Sequence, residues 1–261
     1  MPWKLQKRRN IAIRNLSFKT LLIMAVCLAL TCSSALAKPK KNRSDYEAQG
    51  EVVWEVPTRE KVIALTFDDG PDPDHTPAIL DLLKQYDAKA TFFVVGNKVD
   101  RSPEITKREL DEGHELANHT YSHMYFSNRV AASKMKNDIL KAEDAIYKAT
   151  GQRCRLFRPP GGFYNENLIS IAKEHGYLVV MWSWSKDSKD WRLPGVSKIV
   201  SKVLSNTQNG EIVLFHDYAE RQTQTLDALK IILPKLKEEG FRFITVSELL
   251  TYRKNERPEI K

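Results

Sequence analysis

Between residues 62 and 245 the chain alternates short, branched apolar runs with amphipathic ones, and this alternation constrains the fold more than any other feature. Strand-like runs lie at 62–67, 90–95, 115–118, 156–158, 178–184, 211–215 and 241–245. Helical patterns separate them. Repeated strand–helix alternation predicts an α/β fold with a parallel sheet, because parallel strands need crossover connections and helices then cover the sheet.

The helical segments carry their own signals. Thr76 reads as an N-cap with Pro77 in the first helical position, followed by an Ile79, Leu82, Leu83, Tyr86 stripe at helical spacing. A longer helix from about Ala131 to Thr150 points Met135, Ile139, Ala142 and Ile146 inward and stops at Gly151. Pro234 is expected to break or kink the last long helix.

The chemistry-bearing residues fall at the ends of the strand runs. Thr66-Phe67-Asp68-Asp69-Gly70-Pro71 closes the run that starts at Val62, with Gly70-Pro71 stopping the strand. His119-Thr120-Tyr121-Ser122-His123 follows the third run. One Asp with two His makes a three-ligand set that suits one Zn²⁺, Co²⁺ or similar divalent ion and leaves a position open for water or substrate. Successive side chains at a strand end diverge, so one aspartate is expected to reach the ion and the other to serve as a base. Taken alone, an Asp-Asp pair is an ordinary turn or cap element, and histidines at i and i+4 also describe a solvated helix face. The remaining candidates change that balance. Arg158 closes the fourth run, Asp187, Asp190 and Trp191 follow the fifth, and His216-Asp217 follow the sixth. Closing the sheet into a barrel explains how residues from so many strands meet at one C-terminal rim.

The first 37 residues carry six Lys/Arg and no Asp/Glu, with an uncharged stretch from Thr20 to Ala37 ending in Ala35-Leu36-Ala37. This is the pattern of a cleaved signal peptide, and its length is also near the lower limit for an uncleaved signal anchor. Of the formal charge of +8, the leader accounts for six and leaves 35 Lys/Arg against 33 Asp/Glu. The basic excess therefore sits in the leader and in Lys38, Lys40, Lys41 and Arg43, so nucleic acid is not an expected partner. Membrane contact is expected only through an uncleaved leader. Cys27 and Cys32 belong to that leader. Cys154 remains alone, so stability must come from packing and not from a disulfide. The expected organisation is a leader at 1–37, a basic linker with an opening strand at 38–56, a catalytic body at 57–252 and a charged tail at 253–261.

Over roughly residues 57–252 the chain resembles the polysaccharide deacetylases of carbohydrate esterase family 4. Five ordered motifs carry the resemblance: Thr66-Phe67-Asp68-Asp69-Gly70-Pro71, His119-Thr120-Tyr121-Ser122-His123, Arg158-Pro159-Pro160-Gly161-Gly162, Asp187-Ser188-Lys189-Asp190-Trp191 and Leu214-Phe215-His216-Asp217. It implies a distorted (β/α) barrel of about seven parallel strands, and removal of N-linked acetyl groups from a glycan by a metal-activated water. By this resemblance Asp69, His119 and His123 are the metal ligands, Asp68 the general base and His216 the general acid. Asp190 would tune His216, and Arg158 would orient Asp68. Trp191 and Leu214 would wall the acetyl methyl and the sugar ring, and the Pro160-Gly161-Gly162 turn would offer a backbone N–H to the oxyanion. The family often has an aromatic residue after the two prolines. Gly161 stands there in this chain, which removes a stacking side chain and is expected to leave room for a lactyl substituent or peptide stem.

His114, Glu115, His75 and His175 are expected to be structural or surface residues, Cys154 a small buried residue, and at least one of Trp182 and Trp184 barrel packing. The leading expectation is a monomeric, secreted or wall-associated enzyme acting on an N-acetylated cell-wall glycan, peptidoglycan N-acetylglucosamine or N-acetylmuramic acid. A chitin or chitooligosaccharide deacetylase, a non-catalytic glycan-binding relative and a small-molecule amidase are the competing readings. Every proposed catalytic position is filled, which disfavours the binding-only reading.

Overall fold

The strand β2 (Val62–Asp68) is buried at every position and pairs with three others. The structure, a computed structural model, describes residues 41–127, 129–218 and 224–255. The expected leader, the start of the linker and the end of the tail lie outside the described residues. The other strands are β1 (Val52–Val53), β3 (Ala90–Val94), β4 (Glu115–Asn118), β5 (Leu156–Phe157), β6 (Leu178–Val180), β7 (Ile212–His216) and β8 (Arg242–Phe243). The order is β1-β6-β5-β4-β3-β2-β7, every pairing is parallel, and β8 joins the start of β2. The expected opening strand thus becomes an edge of the same sheet.

Helices α1 (Arg43–Ala48), α2 (Thr76–Gln85), α3 (Gly96–Val99), α4 (Pro103–Asp111), α5 (Ala132–Thr150), α6 (Glu166–Glu174), α7 (Val196–Leu204), α8 (Thr225–Glu238) and α9 (Val246–Asn255) accompany the strands. Among the described residues no helix is long and apolar enough to cross a membrane.

Period-two alternation along β2 separates two cores. Ile63, Leu65 and Phe67 join the large outer cluster with helix residues such as Ile79, Ile139 and Leu229. Val62 and Ala64 join a smaller cluster with Phe93, Ala117, Leu156, Val180 and Ile212, which is the barrel interior. Val246 and Leu249 of α9 belong to that inner cluster. The next two residues of the inward row are Thr66 and Asp68, so β2 carries its interior face directly into the candidate site.

Three expectations need correction. The run 178–184 is strand only to Val180. Beyond it the chain leaves β-geometry, yet Ser183 N donates to Ile212 O and Leu214 N to Lys186 O, so an irregular segment spans the edge toward β7. Trp182 packs against both cores while Trp184 is fully exposed. Thr76 is the first residue of α2, not its cap: its hydroxyl accepts from Asp72 N at 2.8 Å and donates to Asp217 Oδ2 at 2.6 Å. Pro234 lies within α8, the last long helix, without breaking it. The longer α5 follows its periodicity, with Met135, Ile139, Ala142 and Ile146 buried and Gly151 at φ 73° as C-cap.

Candidate active site

The site begins where β2 stops. Asp68 is its last residue, and Asp69 turns out of the strand at φ 80°, a left-handed conformation that costs a non-glycine residue of order 1 kcal/mol. The turn points the two carboxylates in different directions. Gly70 has no alternative there: a Cβ on it would fall 2.0 Å from Asp217 Oδ2.

Asp69 Oδ1 faces His123 Nε2 at 2.9 Å and His119 Nε2 at 3.3 Å. One candidate ligand atom from each of the three residues lies within 4.8 Å of the others. Asp69 Oδ1 is buried without a geometrically acceptable hydrogen bond, despite the short approach of both rings. An anionic oxygen buried between two imidazole nitrogens and satisfied by neither fits a cation held among them. His119 reaches the site from just past β4, and its Nδ1 donates to Arg158 O at 2.7 Å, which turns Nε2 toward Asp69. The segment is not helical, since Thr120 has φ 68° and His123 φ 55°. The two rings therefore converge by loop strain and not along a helix face.

Asp68 is separated from this set by a different partner. Its Oδ1 accepts from Arg158 Nη1 at 2.6 Å, and its Oδ2 lies 3.7 Å from His119 Nε2. Arg158 is buried, and its guanidinium also donates to Val180 O, Met181 O and Thr66 Oγ1. Four donations to fixed acceptors lock the fork under Asp68.

His216 is the register partner of Asp68 on the adjacent strand β7. Its Nδ1 donates to Asp190 Oδ1 at 2.7 Å and its backbone N–H to Asp190 Oδ2 at 2.8 Å. Thr225 Oγ1 and Trp191 N donate to the same carboxylate. Burial disfavours the charged imidazole, but the charge and hydrogen bond of Asp190, with Asp69 and Asp68 beyond, outweigh it and raise the His216 pKa to about 9. For Asp190 burial pulls upward, and the pair with His216 still brings its pKa below the ordinary carboxylate value.

Residues 55–180 match the polysaccharide deacetylase family. A peptidoglycan-N-acetylglucosamine deacetylase of Bacillus cereus is 51% identical over 211 residues, covering 81% of this chain and 98% of the relative. The chain belongs to the polysaccharide deacetylase family. The peptidoglycan-N-acetylmuramic acid deacetylase PdaC of Bacillus subtilis is 37% identical over 218 residues, covering 82% of this chain and 45% of that relative. Among solved structures, the Bc1960 peptidoglycan N-acetylglucosamine deacetylase, crystallised with a naphthyl-substituted N-hydroxybenzamide, superposes with TM-score 0.75 at 35% identity, covering 80% of this chain and 97% of that one.

The remaining expected site residues of this deacetylase are distributed around that centre. Leu214 is buried on β7 two residues before His216, and Trp191 is half exposed beside Asp190. In the Pro160-Gly161-Gly162 turn, Gly162 N donates to Pro159 O at 2.9 Å and is therefore not the free donor. The space expected at Gly161 is not open. A Cβ on that residue would sit 2.5 Å from Tyr125 Cε1, so the ring of Tyr125 already occupies it.

His114 is structural: its Nδ1 accepts from Ala90 N at 3.2 Å, and burial first, then Lys89, lower its pKa to about 4. Glu115 is held by Thr91 and Ser247. His75 and His175 are half buried, the former 2.5 Å from Asp72 Oδ1, the latter bonded to Ile171 O at 2.8 Å. Cys154 is buried and free, with burial raising its thiol pKa well above the usual value.

Sequence reasoning missed three participants. Thr225 fixes Asp190 from the start of α8. Lys98 of α3 donates to Asp69 O at 2.7 Å. Tyr125 stands edge-on to His123. Lys98 had a signal, since it follows a strand end on the same rim; Tyr125 and Thr225 had none.

Proposed function

We propose that this deacetylase removes N-acetyl groups from peptidoglycan outside the cytoplasm, using one divalent ion held by Asp69, His119 and His123. The observation that carries the metal reading is Asp69 Oδ1, buried between two imidazole nitrogens and bonded to neither. Such an ion, when bound, lowers the pKa of a coordinated water and polarises the amide carbonyl.

The residues around it supply the rest. Asp68, oriented by Arg158, accepts the water proton. The developing oxyanion meets the N–H of Gly161, the amide of its turn that neither Gly162 nor Phe163 replaces, since both donate within the turn. His216, whose pKa the charge and hydrogen bond of Asp190 raise against its burial, delivers a proton to the departing amine. Base and acid reach the scissile amide from adjacent strands, on which Asp68 and His216 are direct register partners. Leu214 and Trp191 wall the acetyl group and the sugar.

The wall-glycan substrate is supported by the peptidoglycan deacetylases among the relatives and by the leader pattern of residues 1–37. Acetate release compared on peptidoglycan fragments, chitin oligomers and acetylated xylan, with the product sugar identified by mass, tests it. Peptidoglycan fragments are expected to react fastest. Preference for xylan would overturn the amide reading, and preference for chitin oligomers would move the substrate away from the bacterial wall.

A further inference from the structure

We propose that Tyr125, braced by Phe163, is the sugar-stacking wall of this site and sets its preference for a polymer of 2-acetamido sugars over a single sugar. The proposal rests on the deacetylase reading of the site and names the element that recognises the substrate there.

Three observations converge. First, Gly161 has φ 64°, and a Cβ on it would lie 2.5 Å and 3.0 Å from two ring carbons of Tyr125 and 3.1 Å from Phe163 Cδ2. The turn that lacks a side chain is thus filled from outside by two aromatic rings. Second, those rings form a chain that ends on a metal-ligand candidate: Tyr125 is edge-on to His123 at 5.5 Å and edge-on to Phe163 at 5.9 Å. Third, both rings remain in water, Tyr125 at 55% and Phe163 at 58% exposure.

Exposed aromatic area has no folding reason to collect at one place, and contiguous apolar patches beside a reactive centre mark binding surfaces. The exposure is also held rigidly. Phe126, the next residue, is buried in the outer core, and His123 is fixed two residues before by its strained backbone at φ 55°. A ring anchored on both sides binds with little ordering cost. A pyranose offers a flat face of C–H groups that matches an aromatic ring, and only an oligomer can stack one sugar on that ring while a neighbouring unit presents its acetamido group. The wall stands beside His123, so a sugar stacked on it places a neighbouring acetamido group toward the ion.

The experiment uses the full chain, loaded with Zn²⁺, with N-acetylglucosamine oligomers of four to six units and the monosaccharide as probes. Tyr125→Ala is expected to raise KM for the oligomer about tenfold, with the change falling on KM and not on kcat, since a stacked aromatic contact is of that order. Tyr125→Phe, which keeps the ring, is expected to stay within about twofold of the parent. Oligomer affinity measured on the Asp68→Asn protein gives a readout independent of turnover and is expected to fall with Tyr125→Ala.

If Tyr125→Ala lowers kcat on oligomer and monosaccharide equally, or strips the ion, the ring is a shield for the metal site and the proposal is overturned. Unaltered oligomer affinity in Tyr125→Ala overturns it too. Failure of the deacetylase reading looks different: the parent chain would bind oligomers on this wall and release no acetate from any glycan.

Discussion

Arg158 and Asp68 form an ion pair at 2.6 Å with side-chain exposures of 0% and 5%, so the residue assigned as base is held by a cation sealed inside the barrel. Removing one partner of a buried pair leaves an uncompensated charge and typically costs about 3–5 kcal/mol. Arg158→Met is therefore expected to lower unfolding free energy by that order and to reduce kcat by at least ~100-fold through misplacement of Asp68. Arg158→Lys should not rescue it, because a point charge cannot reproduce the four donations of the fork. Denaturant unfolding and acetate release check both parts; a stable, active Arg158→Met protein would refute this account.

What the sequence revealed and what it withheld divides along physical lines. Strand ends were legible because Val62–Phe67, apolar but for Thr66, and the continuously apolar Ile212–Phe215 stop at polar residues, which put Asp68 and His216 on one rim. Long-range fillers were not. Gly161 shows only that a side chain is missing, and nothing local reveals that Tyr125 occupies the space. Thr76 has the chemistry of a cap, but its hydroxyl is drawn to Asp217, a partner 141 positions away. Trp182 and Trp184 alternate like strand residues, yet the chain from Ser183 onward trades regular pairing for irregular bonds to β7. In each case a tertiary contact overrode a local preference.

The divalent ion separates ligand from base. Chelation is expected to abolish acetate release, and Zn²⁺ or Co²⁺ to restore it. Asp69→Asn and His119→Ala are expected to lose both metal and activity, while Asp68→Asn keeps the metal and loses activity. Metal content of the purified variants decides the assignment; a metal-free Asp68→Asn beside a metal-loaded Asp69→Asn would reverse the pair.

The dyad of Asp190 and His216 has a definite pH signature. With its pKa raised to about 9, His216 can act as an acid on the alkaline side of neutrality. Asp190→Asn removes the charge that opposes burial, so the alkaline limb of the kcat profile is expected to move toward lower pH. Stability follows the same sign. A folded pKa above the unfolded value near 6.5 contributes stability that is fully present below 6.5 and lost as pH rises toward 9. Asp190→Asn should therefore cost more stability at pH 6 than at pH 10. Equal losses at both pH values, or an unmoved alkaline limb, would exclude the dyad.

Lys98 offers a test of how the metal-ligand geometry is held. Asp69 occupies a left-handed conformation at φ 80°, and Lys98 Nζ donates to its carbonyl oxygen at 2.7 Å. The ammonium also lies against the ring of Tyr218, 2.8 Å from its centroid, so its position is fixed on two sides. Losing that donor frees the strained peptide to relax, and the carboxylate at its end then swings away from His119 and His123. Residues that orient a ligand without touching the ion commonly cost 10–100-fold in affinity when removed. Lys98→Met, which keeps an unbranched apolar stem and loses the donor, is expected to weaken Zn²⁺ or Co²⁺ binding by at least about tenfold. Competition with a chelator of known affinity measures this directly, and circular dichroism shows whether the fold survives. An unchanged metal affinity in a folded Lys98→Met protein would mean that the turn at Asp69 is held by the strand and Gly70 alone.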